Sequence, residues 1–135
     1  MPELEVLVLS NAQGRLTGRR GLVVDDEFLI VLDLQETLED NGAAIVAAGS
    51  AEKALAALDA EGPFDFAVVD LHIGGALDSG LSVATALRER SIPFVFLSGL
   101  RSGDERVRHF QAPLVEKPYR SDVLIETIRQ LLVEK

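Results

Sequence analysis

Gly21-Leu22-Val23-Val24 is an apolar run of strand length that breaks off in Asp25-Asp26, and the residues after it set a rhythm that the rest of the chain repeats. Leu29, Leu32, Leu34 and Leu38 supply apolar positions for a helix closing at Asn41-Gly42, which makes one βα unit. Ala43 to Ala48 reads as the next strand; Ser50 caps a helix carrying Ala54, Leu55 and Leu58, and Glu61-Gly62-Pro63 stops it. Phe64 to Val69 is a third strand ending at Asp70, followed by the glycine-bearing loop His72 to Gly80 and a helix from about Leu81 to Arg90. Pro93 to Leu97 is a fourth strand ending at Ser98-Gly99, with a short helix near Asp104 to Phe110. Pro113 to Glu116 is a fifth, and Tyr119 to Val133 a final helix with Val123, Ile125, Ile128, Leu131 and Leu132 as its apolar set.

Strands that are apolar throughout, alternating with helices, imply a parallel sheet covered on both faces, a doubly wound α/β fold. Such sheets hold their functional groups outside the carboxyl ends of the strands, beside the switch point in strand order. The first residues break the rhythm. Leu4 to Leu9 reads as a frayed tail, an added edge strand or a dimer contact, and Asn11-Ala12-Gln13-Gly14 as a turn before the basic patch Arg15, Arg19, Arg20. The expected division is an N-terminal extension over 1–19 and one domain over 20–135.

A chain of 135 residues has room for one such domain, since domains commonly run roughly 100–150 residues. The formal net charge of −9 disfavours direct contact with nucleic acid, which needs a field of Lys and Arg. Without cysteine, thiolate metal sites and cysteine catalysis are excluded. No basic leader opens the chain and no apolar run approaches a membrane span, so the expected compartment is the cytoplasm.

Topology brings Asp25-Asp26, Asp70, Ser98 and Glu116-Lys117-Pro118 to one rim. Three carboxylates there repel unless a cation shares the site, and an all-oxygen set suits Mg²⁺ better than zinc. Lys117 adds a mobile charge for a phosphoryl oxygen and Ser98 a hydroxyl donor for another. A carboxylate nucleophile, a divalent metal, a lysine and a hydroxyl together suit acyl-phosphate formation, where positioning and charge neutralisation do most of the catalysis.

At these residues the chain resembles the receiver domains of response regulators. The family pattern is an acidic pair after strand one, an aspartate after strand three, Ser or Thr after strand four and Lys-Pro after strand five. Here it stands as Val24-Asp25-Asp26-Glu27, Val69-Asp70-Leu71, Leu97-Ser98-Gly99 and Glu116-Lys117-Pro118-Tyr119, with coverage from about Arg20 to the C-terminus. The resemblance implies a flavodoxin-like sheet of order 2-1-3-4-5. It implies that Asp70 accepts phosphate from a histidine kinase or histidine phosphotransfer protein, and that Ser98 and Lys117 contact the phosphoryl group. It further implies Mg²⁺ on Asp26 and Asp70, with Asp25 holding a metal-bound water and the backbone carbonyl of His72 as another ligand. Phe94-Val95-Phe96-Leu97-Ser98-Gly99 with Lys117-Pro118-Tyr119 also resembles an alphaproteobacterial single-domain subgroup with a Phe-Ala-Thr-Gly-like signature.

Two departures stand out. Leu114 occupies the place of the family's aromatic switch residue, and the segment from Ser98 to Lys117 is short, which predicts a reduced fourth helix. With no output segment in the sequence, signalling is expected by contact with a separate downstream protein, through the loop after Ser98 and the last two helices; a homodimer stays open. The expectation is not an enzyme in the ordinary sense, since a receiver catalyses only its own phosphorylation and dephosphorylation.

Singly, each signal has a plainer meaning. An Asp pair before a helix is commonly a cap, Ser98-Gly99 a turn, and Lys117-Pro118 a loop, where a cis peptide is expected. The ring of His72 reads as pointing to solvent or flanking the site rather than catalytic, and His109 carries no signal beyond a short helix end. Arg101, Arg106 and Arg108 read either as a solvated face or as a docking surface for an acidic partner. The rival functions are a degenerate receiver that binds protein without phosphorylation, supported by Leu114; a haloacid-dehalogenase-type phosphatase, which needs a second acid where His72 stands; and a flavodoxin-like nucleotide binder, which lacks its Gly-rich loop.

Overall fold

From Gly21 onward each short apolar run becomes a strand, and the segment after it a helix. The structure, a computed structural model, describes residues 14–99 and 104–134. Strands β1 (Arg20–Val24), β2 (Ala44–Ala48), β3 (Phe66–Asp70), β4 (Phe94–Ser98) and β5 (Leu114–Glu116) form one sheet of order β2-β1-β3-β4-β5, and every pair is parallel. Helices α1 (Phe28–Asp40), α2 (Ala51–Ala60), α3 (Leu77–Glu89), α4 (Glu105–His109) and α5 (Ser121–Glu134) connect and close it.

Side chains alternate across each strand, so the sheet feeds two cores. Leu22, Val24, Ala67 and Val69 pack with α2, α3 and α4 through Ala54, Leu58, Val83, Leu87 and Val107. Val23, Phe66, Val68, Val95 and Leu97 pack with α1 and α5 through Leu34, Leu38, Leu124, Ile125 and Ile128. The chain leaves β1 toward β2 in one direction and every later crossover runs in the other, so right-handed connections put α1 on one face and α2, α3 and α4 on the opposite one. The reversal opens a crevice at the carboxyl ends of β1 and β3.

The sequence reading differs from the structure at several element ends. Of the apolar set expected to bury α1, only Leu34 and Leu38 are buried. Leu29 and Leu32 are 77% and 47% exposed, and Phe28 before them 72%. The inward stripe is Ile30, Leu34, Leu38, one residue every four, and Leu29 and Leu32 fall off it. Helix α3 starts at Leu77 rather than Leu81, because Gly80 belongs to the helix and not to the loop. A Cβ on Gly80 would stand 2.0 Å from the Leu71 carbonyl oxygen, so the glycine lets α3 close on the turn after β3. Strand β3 starts at Phe66, since the Asp65 carboxylate accepts from the Arg20 N–H at 2.9 Å and the Asp65 N–H donates to the Arg20 carbonyl. Helix α5 starts at Ser121, after Pro118 and Tyr119 have turned the chain.

Ahead of β1, Gly14 to Gly18 forms a turn whose Leu16 is fully buried among the α1-side residues and whose N–H donates to the Asn41 carbonyl. Leu4 to Leu9, Asn11 to Gln13 and Arg101 lie outside the described residues. Among the described residues no helix is long and apolar enough to cross a membrane.

Candidate functional site

Strand register sets the site. Val24 pairs with Val69, so Asp25 and Asp70 follow side by side; Asp70 pairs with Leu97, which puts Ser98 one step beyond it. Ser98 pairs with Glu116, and the Lys117 N–H donates to the Ser98 carbonyl at 2.8 Å. Residues spread over most of the sequence thus arrive on one rim because four strands end at nearly one level.

Asp25 is buried, and its Oδ1 accepts the Glu27 N–H at 2.9 Å. That bond turns the chain into α1, whose first residue is preceded by Glu27 at the cap with no side-chain cap bond of its own. The acidic pair is therefore not the helix cap, which was its plainest meaning. Asp26 is exposed; its Oδ2 accepts the N–H of Gly74 at 3.2 Å, where φ is +68° and glycine is at ease. Asp70 is buried, and its Oδ1 accepts the His72 N–H at 3.2 Å. The His72 carbonyl takes the Gly75 N–H at 2.7 Å, leaving its second lone pair for a ligand.

Carboxylate oxygens of Asp25, Asp26 and Asp70 all lie within 4.8 Å of one another. Lys117 Nζ stands 3.0 Å from Asp25 Oδ2, 3.5 Å from Glu27 Oε1 and 3.6 Å from Asp70 Oδ1. One ammonium thus faces three carboxylates, with Asp26 a fourth on the same rim, and the negative surplus fits a divalent cation on an all-oxygen set. Burial raises the Asp70 pKa above the usual carboxylate range; Lys117 opposes this, and the charges of Asp25 and Asp26 add to it. Burial alone would lower the Lys117 pKa, but Asp25, Asp70 and Glu27 outweigh it and hold the ammonium above its ordinary value.

Ser98 closes the rim as the last residue of β4, fully buried. The Lys117-Pro118 peptide is cis, as expected. Next to it the Tyr119 hydroxyl donates to Asp33 on α1, tying the lysine-bearing loop to the helix that follows the acidic pair. His72 is half-buried and caps a single 3₁₀ turn, Ile73–Gly75. Of the basic patch, Arg106 is engaged with Asp78 at 2.8 Å and with Asp104 at 3.0 Å, so it braces the reduced α4 against the start of α3. Leu114 is half-buried and in register with Phe96, whose ring packs edge-on to those of Phe94 and Phe110.

One participant escaped the sequence reading. Glu27 reaches Lys117, and its signal was the third acid of Asp25-Asp26-Glu27. The exposed Phe28, Leu29 and Leu32 stand directly after it, and no periodicity argument alone distinguishes them from core.

Residues 22–129 match the family described as the response regulator receiver domain. No curated protein matches the chain. Among solved structures the chain is similar to a response regulator receiver protein from Sinorhizobium medicae, at 32% identity over 85% of this chain and 94% of that one, with a TM-score of 0.75. It is similar to the response regulator TrrA from Thermotoga maritima, whose structure is a complex with Mg²⁺ and BeF, at 31% identity over 84% and 99% of the two chains, TM-score 0.73. It is also similar to the receiver domain of the Francisella response regulator 1452, at 25% identity over 87% and 98%, TM-score 0.74.

Proposed function

The chain belongs to the response regulator receiver domain family, and on that footing we propose that it is a phosphoacceptor of two-component signalling that takes a phosphoryl group on Asp70. The observation that carries the reading is the three-carboxylate cluster within 4.8 Å with Lys117 3.6 Å from Asp70. The donor is a phosphohistidine of a kinase or phosphotransfer protein. An Asp70 oxygen attacks phosphorus, the P–N bond breaks, and its electron pair leaves on the imidazole nitrogen, giving an acyl phosphate. Lys117 neutralises one phosphoryl oxygen and the Ser98 hydroxyl donates to another.

Mg²⁺ is the cation the donor set suits. Asp26 and Asp70 would hold it directly, Asp25 through a metal-bound water and His72 through its backbone carbonyl, and its chemistry there is neutralisation of phosphoryl charge. Phe28, Leu29 and Leu32 form an exposed apolar patch beside the rim, which suits docking of the donor. Output passes by contact to a separate protein through α4, β5 and α5, where Arg108, Pro113, Thr127 and Leu131 line an open groove. The proposed compartment is the cytoplasm.

Incubation with Mg²⁺ and acetyl phosphate, followed by intact mass, tests the reading. The expected gain is about 80 Da, one phosphoryl group, in the wild type and none in Asp70→Asn. An equal gain in the variant would move the acceptor elsewhere.

A further inference from the structure

The Lys117 ammonium is gripped from two sides of unlike character. Asp25, with a fully buried side chain, holds it from within at 3.0 Å and cannot leave, because its other oxygen fixes the Glu27 N–H. Glu27 holds it at 3.5 Å from the solvent side, and its own side chain is 62% exposed with no cap bond to tie it down. Asp70 stands 3.6 Å from the same nitrogen. A phosphoryl group on Asp70 brings oxygens that need this ammonium, and of the three carboxylates only Glu27 is free to swing away.

We infer that Glu27 is a positioning residue that occupies, in the unphosphorylated protein, the place on Lys117 that a phosphoryl oxygen takes, and that an anionic phosphodonor must displace it. The inference rests on Asp70 being the acceptor. Glu27 keeps the lysine drawn toward the rim, at the cost of competing with the incoming phosphoryl group. Its removal therefore eases donor binding more than it changes the reaction once the donor is bound.

Glu27→Gln and Glu27→Asp separate this role from mere negative charge, since aspartate keeps the charge but retracts it by about 1.5 Å, one C–C bond. With acetyl phosphate and saturating Mg²⁺, both variants are expected to lower the apparent KM by about two- to fivefold, in the range of an exposed ion pair, with the saturated rate changed less than about twofold. A second readout needs neither metal nor donor: acetylation of Lys117 by an N-hydroxysuccinimide ester, measured by peptide mass against Lys53 in the same sample. Both variants should acetylate Lys117 about two- to fivefold faster than the wild type. Wild-type KM and labelling in Glu27→Gln would overturn the inference. So would a Glu27→Asp that matches the wild type while Glu27→Gln does not, which would leave only long-range charge. Failure of the wild type to phosphorylate at all would instead sink the assignment of Asp70, while the labelling result would still judge the ion pair.

Discussion

Lys117 Nζ lies 3.0 Å from Oδ2 of Asp25, whose side chain is wholly buried, so the lysine of the fifth strand end is the counter-ion of the first. A buried carboxylate that loses its partner keeps its desolvation cost. Lys117→Met is therefore expected to lower stability by about 1–3 kcal/mol at pH 7 without divalent cation, by urea unfolding. In an Asp25→Asn background most of that loss should vanish. A coupling energy under about 0.5 kcal/mol in the double-mutant cycle would mean that the two groups do not support each other.

Asp70 carries a carboxyl whose pKa burial raises, so its ionised form opposes folding. Below the unfolded carboxylate pKa the group is protonated in both states and the penalty is absent; it grows as pH rises through the folded value. Asp70→Asn should raise stability at pH 7 by about 1 kcal/mol in EDTA, and the gain should fade as pH drops below 4. Saturating Mg²⁺ should stabilise the wild type more than the variant, because binding to the folded state adds to its stability. Thermal melts at several pH values with and without the ion would show this.

Tyr119 is the chain's one tyrosine, so a phenolate absorbance titration reports on it alone. Burial raises its pKa, and the bond to Asp33 adds to the rise. The folded protein should show no phenolate through pH 10, where the urea-unfolded chain is half ionised. Stability contributed by the neutral phenol is whole below pH 10 and is lost as pH climbs beyond it. Half-ionisation near pH 10 in the folded state would refute the half-buried, bonded placement.

Helix α1 offers a paired contrast. Leu29→Ser should change stability by less than about 0.5 kcal/mol, as an exposed substitution does, while Leu34→Ala should cost about 2–5 kcal/mol. If the patch docks the phosphodonor, Leu29→Ser should slow transfer from a phosphohistidine protein and leave the rate with acetyl phosphate unchanged. Equal slowing with both donors would place the effect in the site itself.

Fold class was legible because each strand announces its end by an abrupt change from apolar to acidic or turn residues, as Val24 to Asp25 and Val69 to Asp70 do. Gly80 shows where that signal fails. A glycine near a loop reads as loop, yet it lies inside α3 because the Leu71 carbonyl leaves no room for a Cβ. Leu29 and Leu32 show the same limit for periodicity: an apolar spacing predicts a helix but not which of its faces meets the sheet.

The sequence by itself determined that Asp25, Asp26, Asp70, Ser98 and Lys117 stand at strand ends, since local pattern and parallel topology suffice for that. Only the tertiary structure decided that Lys117 rests between Asp25 and Glu27, that Tyr119 bonds Asp33, and that Leu29 faces solvent. Those are distances and orientations between elements remote in the chain. They depend on the register of neighbouring strands and the rotation of each helix about its axis, which no single segment encodes.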